Sequence, residues 1–266
     1  MTPPLLETRQ LRVDIGGRTV VDKLDLRLAA GECLAILGRN GAGKSTLLST
    51  LAGLRPSAAG TVLLGGNDVA ALPPRQAALR RAWLGQFQSD PFSSTVLETA
   101  LTGRHPHLGR YDWESPRDAN LARDALRSVH LDNMEQRAIH TLSGGERQRL
   151  AIATLLTQAA PLYLLDEPLA HLDLNHQMAV LELFRDAARN AGAAVVMVLH
   201  DPALAHRFCD RALLVFGDGR TENAIPQGDF LQGAVDGILT AKTLSELYGY
   251  GLRQIEDGKH RCFVPV

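Results

Sequence analysis

The sequence predicts an α/β fold, a mainly parallel sheet flanked by helices, with an antiparallel β subdomain at its N-terminal end and an inserted all-helical subdomain in the middle. Apolar runs at 33–37, 162–165 and 193–199 alternate with helix-like stretches, the pattern of strands joined through helices into a parallel sheet. Two glycine-rich turns, at 38–46 and 143–145, each open a helix-like stretch. Between residues 87 and 141 no long apolar strand occurs and the pattern is mostly helical.

In chain order, residues 5–28 alternate in short pieces (11–15, 20–21 and 24–28) broken by Gly16 and Gly17, which read as antiparallel strands beside the first glycine-rich turn. A buried strand at 33–37 leads into a helix at 45–52. Residues 55–60 make a turn, 61–64 a strand, and Gly65-Gly66-Asn67-Asp68 another turn. Pro73-Pro74 opens a short helix ending at Arg81, and 82–88 reads as a strand running into a polar loop at 86–91. The insertion holds helices at 95–102 and 116–129 with a Gly-, His- and Pro-rich loop at 103–111 between them. A helix at 146–158 is stopped by Pro161, and a strand at 162–165, a helix at 175–190 and a strand at 193–199 follow. Beyond Arg211 come strand-like pieces at 212–216 and 262–266 and a helix around 239–248. The organisation expected is one domain, with 1–86 and 142–266 as the α/β core and 87–141 as the helical subdomain.

Composition narrows the class. A chain of 266 residues, 45% hydrophobic and 21% charged, reads as soluble and globular and can bury a real core. With 28 basic against 29 acidic residues there is no electrostatic case for nucleic acid, and none is expected as a partner. Cys33, Cys209 and Cys262 lie far apart without metal-ligand spacing and read as reduced cytosolic thiols. The first ten residues carry no secretory signal, and the longest apolar runs fall far short of the ~20 residues a bilayer span needs. Any service to a membrane is expected to run through a partner.

The stretch Gly38-Arg39-Asn40-Gly41-Ala42-Gly43-Lys44-Ser45-Thr46 joins a strand to a helix. Its glycines let successive backbone N–H groups point into one concavity, and the positive end of the following helix adds to the attraction for an anion. It fits G-x-x-x-x-G-K-[ST], in which the ammonium of Lys44 reaches the terminal phosphates of a nucleotide and the hydroxyl of Ser45 holds Mg²⁺. Lysine is scarce, four of the 28 basic residues, yet it stands where a compact charge enters a tight nest that a forked guanidinium fits less well.

The strand at 162–165 ends in Asp166 and Glu167. Asp166 is placed to hold the water shell of Mg²⁺ and Glu167 to polarise an attacking water. Leu142-Ser143-Gly144-Gly145-Glu146-Arg147-Gln148-Arg149 is a second glycine-rich helix opening, hence a second anion-binding helix start, and Ser143 with Glu146 also has the spacing of a capping box. The first loop already wraps a nucleotide's phosphates, which raises the question of what the second one binds.

The order GRNGAGKST, a loop glutamine, LSGGERQR, LLDEP, Leu172-Asp173 and Leu199-His200-Asp201 resembles the nucleotide-binding subunit of an ATP-binding cassette (ABC) transporter over nearly the whole chain. The resemblance implies a P-loop NTPase of the ABC type that hydrolyses ATP with Mg²⁺ and pairs with a second copy of itself, two nucleotides being sandwiched head to tail. Ser143, Gly144, Gly145 and Glu146 of one copy would then face the γ-phosphate held by Gly38, Arg39, Asn40, Gly41, Ala42, Gly43, Lys44, Ser45 and Thr46 of the other. It further implies that Lys44 binds the β- and γ-phosphates, that Ser45, Gln86 and Asp166 serve the metal, and that Glu167 orients water. Asp173 would lie in the loop that communicates across the dimer, and His200 would contact the γ-phosphate. Gln86 fits the family's strand-then-glutamine register in Ala82-Trp83-Leu84-Gly85-Gln86, with Gln88 as the alternative. One departure stands out: the family's adenine-stacking aromatic is matched here by Ile15, which predicts a weaker grip on the base and GTP use alongside ATP.

Gln86-Phe87-Gln88-Ser89-Asp90-Pro91-Phe92, residues 165–177 and the tail Leu247-Tyr248-Gly249-Tyr250 resemble the ATPase subunits of importers for ferric siderophores, haem and vitamin B12. That likeness implies a homodimer lying peripherally on the cytoplasmic face of the inner (plasma) membrane, beneath integral permease subunits, with a substrate-binding protein as an indirect partner. The alternative, on the looser resemblance, is a soluble ABC ATPase outside transport, such as an iron–sulfur assembly accessory protein. Gly103-Arg104-His105-Pro106-His107 lacks a third metal ligand at suitable spacing and reads as a surface loop.

Overall fold

The computed structural model of the chain describes residues 3–86, 93–217, 228–258 and 260–266. All of the loop at 86–91 beyond Gln86, including the alternative Gln88, therefore lies outside the described residues. Strands β1 (Leu6–Ile15) and β2 (Arg18–Leu24) form a hairpin. Its turn is Gly16-Gly17, with φ of 55° and 80°, the left-handed backbone that a two-residue hairpin needs to match the twist of its strands. Next come β3 (Arg27–Leu28), β4 (Cys33–Gly38), α1 (Lys44–Leu51), β5 (Ala59–Leu64) and β6 (Asn67–Asp68). Strands β2-β1-β5-β6 make an antiparallel sheet, with β3 also on β1.

The chain continues through α2 (Pro74–Arg80), β7 (Ala82–Leu84), α3 (Val96–Leu101), α4 (Pro116–Ser128), α5 (Gly144–Gln158), β8 (Leu162–Leu165), α6 (Leu174–Ala191) and β9 (Ala194–Val198). It closes with α7 (Pro202–Phe208), β10 (Arg211–Val215), β11 (Phe230–Ala234), α8 (Val235–Ile238), α9 (Ala241–Tyr248), β12 (Leu252–Asp257) and β13 (His260–Pro265). The main sheet has the order β11-β10-β4-β9-β8-β7, parallel throughout except that β11 runs antiparallel to β10.

Both faces of that sheet are covered, which is why β4, β8 and β9 are buried end to end and read as unbroken apolar runs. Alternation along each strand sorts the residues into two cores. Leu34, Ile36, Leu162, Leu164, Val196 and Val198 pack with Leu47, Leu48 and Leu51 of α1 and with the antiparallel sheet. Ala35, Leu37, Tyr163, Leu165, Val195 and Met197 pack with α5, α6 and the residues of α3 and α4. The helical layer is closed by hydrogen-bonded caps: Thr95 with Glu98, Ser115 with Asp118 and Ser143 with Glu146 are reciprocal capping boxes. A part-buried ion pair, Arg104 Nε to Asp118 Oδ1 at 2.7 Å, ties the start of α4 to the preceding segment.

Several local expectations need correcting. Asn67–Asp68, read as part of a turn, pairs with β5 as a two-residue strand, because the turn itself is completed by Gly65 and Gly66 at φ 55° and 81°. Part of the expected loop at 103–111 is a 3₁₀ helix, Thr102–His107, with Arg75 donating to the carbonyls of Pro106 and His107. Strand β7 stops at Leu84, since Gly85 and Gln86 leave the ladder. Helices α7 and α8 and strands β11 and β12 were not foreseen: each is four to seven residues long, and β12 alternates with polar rather than apolar side chains.

Candidate active site

Four parallel strands end side by side, and each delivers a functional group at its carboxyl end. Strand β4 runs into the loop 38–46, β7 into Gln86, β8 into Asp166 and Glu167, and β9 into Leu199 and His200. Ligands of open α/β sheets bind beyond those strand ends, because helix N-termini and loop N–H groups converge there. A cavity of about 420 Å³ opens at this edge, lined by Ile15, Asn40, Gly41, Gly43, Lys44, Ser45, Thr46, Gln86, Glu167 and His200.

The loop is shaped for an anion. Gly43 precedes α1 at φ 93°, and a Cβ there would stand 2.5 Å from Cγ2 of Val20, so the position demands glycine on both counts. Gly43 gives α1 no side-chain cap, and no acidic residue sits in the first turn. The helix start thus turns uncapped N–H donors and its positive dipole end on the cavity. The ammonium of Lys44 donates to the carbonyls of Gly38 at 2.9 Å and Arg39 at 3.0 Å. Burial pushes the Lys44 pKa down, against the charges of Glu167 and Asp166, which raise it.

The carboxylates are sorted by burial. Asp166 is almost wholly buried; its backbone N–H still bonds to Leu84, and its side chain accepts from Ser45 Oγ at 3.0 Å. Burial raises the Asp166 pKa, opposed by the Ser45 hydrogen bond and reinforced by the neighbouring Glu167 charge. Glu167 sits at φ 50°, a left-handed conformation that a side chain accepts only when its surroundings hold it, and its carboxylate joins the cavity lining. Oε1 lies 2.9 Å from His200 Nε2, and Oε2 accepts from Gln86 Nε2 at 3.3 Å. Hard oxygen donors on Ser45, Gln86 and Asp166 suit Mg²⁺, an ion that keeps several of its own waters and takes few protein ligands.

The structure brings together Gly38 to Thr46, Gln86, Asp166, Glu167 and His200. It does not bring Ser143, Gly144, Gly145, Glu146 or Asp173 into that cavity. Ser143 and Gly144 are exposed at the start of α5, where Ser143 Oγ accepts from the backbone N–H of Glu146 and the Glu146 carboxylate accepts from the N–H of Ser143. Asp173 caps α6, accepting from the His176 backbone N–H at 2.9 Å, and lies 2.8 Å from Nδ1 of the His176 ring. Outside the site, His107 Nε2 lies 2.7 Å from the carbonyl oxygen of Gln158.

One neighbour of the loop went unforeseen. A Cβ on Gly249, just after α9, would lie 3.5 Å from Nη1 of Arg39, so the tail reaches the phosphate loop. In the preceding residue, Tyr248, burial and the nearby Asp201 charge push the hydroxyl up to about 12. The tail's local sequence has no feature that places it there.

The ABC transporter family model matches residues 21–170. The chain belongs to the ABC transporter family. Its expected P-loop core, with antiparallel β and helical parts, is what the structure shows. A cobalamin import ATP-binding protein of Halobacterium salinarum is 40% identical over 239 residues, covering 90% of this chain and 57% of its own length. The chain thus spans little more than half the length of that relative. The hemin import ATP-binding protein HmuV of Streptomyces coelicolor is 45% identical over 228 residues, 86% of this chain and 80% of its own. A siderophore transport system ATP-binding protein of Bacillus subtilis, YusV, is 36% identical over 264 residues, 97% of this chain and 95% of its own. Among solved structures, an inward-facing ABC transporter described as of metal-chelate type superposes with a TM-score of 0.82 at 28% identity, covering 98% of this chain and 97% of the other.

Proposed function

We propose that the chain is the ATP-hydrolysing subunit that powers import of a metal chelate, in the class of ferric siderophores, haem and cobalamin, through a membrane permease. The observation that carries this reading is the pairing of a complete phosphate site at the strand ends with a second glycine-rich helix start that no part of the same site uses. The relatives named above supply the chemical class of the cargo. Among the described residues no helix is long and apolar enough to cross a membrane, so the translocation path belongs to a partner. The chain would lie peripherally on the cytoplasmic face, with the helical insertion 87–141 and the loop after Gln86 against the permease, and a substrate-binding protein would act beyond it.

In this mechanism the loop's N–H groups and Lys44 hold the β- and γ-phosphates, so Lys44 exchanges its two carbonyl partners for phosphate oxygens. Ser45, Gln86 and Asp166 would hold Mg²⁺, which would neutralise phosphate charge. Glu167 takes a proton from water as the water oxygen attacks the γ-phosphorus; the bond to the bridging oxygen breaks and ADP departs with that electron pair. His200 leaves Glu167 and turns to the γ-phosphate, which frees the carboxylate only when nucleotide is present. Ser143, Gly144 and Gly145 of a second copy close over the same phosphate, so binding favours the dimer and hydrolysis releases it.

Glu167→Gln tests the core of this reading. The variant should bind ATP normally and accumulate as an ATP-dependent dimer, while turnover falls by about a hundredfold or more, the usual range for a lost general base. Hydrolysis at the parent rate would remove Glu167 from its role. For the cargo, the intact complex isolated from membranes should take up one of cobalamin, haem or a ferric siderophore into liposomes in an ATP-dependent manner.

A further inference from the structure

The loop from Glu167 to Asp173 contains two non-glycine residues in the left-handed region, Glu167 at φ 50° and His171 at φ 63°. Such backbone persists only where neighbours fix it. Two glutamine amides do so. Gln148 Nε2 donates to the carbonyl of Pro168 at 3.0 Å, and Gln177 Nε2 donates to the carbonyls of Leu172 at 3.0 Å and Leu169 at 3.4 Å. Gln177 stands on α6, directly after this loop. Gln148 stands on α5, the helix whose start is the second anion site.

Helix α5 touches both ends of the loop with one face. A Cβ on Gly145 would lie 3.0 Å from the carbonyl oxygen of His171, and one on Gly144 would lie 3.7 Å from Cβ of His171. Residues three and four positions apart on a helix share a face, so Gln148 sits one turn beyond those glycines and reaches the carbonyl of Pro168, the residue after Glu167. The first turn of α5 thus abuts the far end of the loop, and its second turn grips the near end.

We propose that Gln148 is a positioning residue for Glu167. Its amide fixes the carbonyl of Pro168, the residue that follows Glu167, and through that residue the direction of the Glu167 carboxylate. A displacement of α5 on engaging a phosphate at Ser143 is passed through the same hydrogen bond to Glu167. Each copy's signature helix would thereby report capture of the partner's nucleotide to its own carboxylate. The inference rests on the reading of Glu167 as the group that polarises water.

The test uses the full chain with three substitutions at this position. Gln148→Glu keeps the length but offers an acceptor to an acceptor, Gln148→Met keeps the bulk without a donor, and Gln148→Lys restores a donor with similar reach. For the Glu and Met variants, kcat should fall about tenfold, the scale of one lost hydrogen bond, with KM for ATP within about twofold. The Hill coefficient for ATP should fall toward one, and the Lys variant should recover most of kcat. An unchanged kcat in the Glu and Met variants, a loss that Lys does not restore, or a parallel loss of ATP affinity and thermal stability would each overturn the proposal. Glu167→Gln is measured alongside: if it turns over normally, the reading of the site has failed; if it is inactive while the Gln148 variants match the parent, the positioning role alone has failed.

Discussion

The two glycine-rich helix starts of this chain look alike in sequence and differ in physics. Helix α1 begins at Gly43 with no side-chain cap, beside a buried lysine and two strand-end carboxylates. Helix α5 begins at an exposed Ser143 whose hydroxyl accepts from the N–H of Glu146 while the Glu146 carboxylate accepts from the N–H of Ser143, a reciprocal capping box. An uncapped start has donors to spare and a strong demand for an anion. A capped one is stable without a ligand and offers a hydroxyl, two small residues and a dipole to whatever approaches. On the proposed reading the first binds by itself and the second completes a site on another molecule.

That contrast breaks most sharply at Lys44. Lys44→Met should weaken nucleotide binding to the isolated chain by about a hundredfold, since charge-assisted bonds to phosphate are lost from a partly buried site. Ser143→Ala should leave that affinity within about twofold and cost only the cap, about 1 kcal/mol in α5, while abolishing ATP-dependent dimerisation. Equilibrium binding of labelled ATP and light scattering with and without ATP separate the two. If Ser143→Ala weakened binding to the monomer as much as Lys44→Met did, the two starts would be equivalent and the contrast would be wrong.

The sequence made the first of these sites legible almost residue by residue. Gly38 to Thr46, Asp166, Glu167 and His200 stand at the ends of apolar runs, and strand ends in a parallel sheet meet at one edge, so local pattern and global topology agree. Gln86, Ile15 and the role of His200 came from the resemblance to the ABC family, and the structure places all three residues on the cavity lining. The grip of Gln148 and Gln177 on the loop 167–173 was not legible, because a polar side chain bonded to a distant backbone carbonyl has no periodicity or spacing that marks it. Short α7 and α8 and the polar strand β12 escaped for the same reason: too few residues bury a face to write a pattern.

The region around the second helix start also answers to acid differently from the sheet. Its helices are closed by carboxylates held below their ordinary range: Glu98 and Glu146 by the backbone N–H groups of Thr95 and Ser143, and Asp118 by the Ser115 hydroxyl and N–H with Arg104 beside it. Asp118 drops from 3.8 to about 2. A carboxyl lowered on folding contributes stability that is fully present above its unfolded value and is lost as pH falls through its folded one, so this contribution fades between about pH 4 and pH 2. The shift corresponds to about 2 kcal/mol for the largely buried Asp118. Asp118→Ala should therefore lower stability by about that amount at pH 7 in urea or thermal melts, and the gap to the parent should narrow as pH approaches 2. A gap that stayed constant with pH would assign the loss to packing instead.

The smallest effect concerns asymmetry within the first site itself. Its loop end is dense with donors, whereas the rim where the base of the proposed nucleotide would lie carries Ile15, 39% exposed, an aliphatic side chain that offers contact area but no π-face. Nucleotide recognition here should rest on the phosphates, with ATP and GTP turned over within about fivefold of each other, because stacking is the part of base recognition that is missing. Ile15→Tyr supplies a ring at the same rim. Since every purine presents a π-face, the substitution should tighten both nucleotides by about 1 kcal/mol, roughly fivefold in Kd, rather than create discrimination between them. Competition binding with ATP and GTP on parent and variant reads this directly. A parent preference for ATP well above about tenfold would show that groups other than the residue at position 15 select the base.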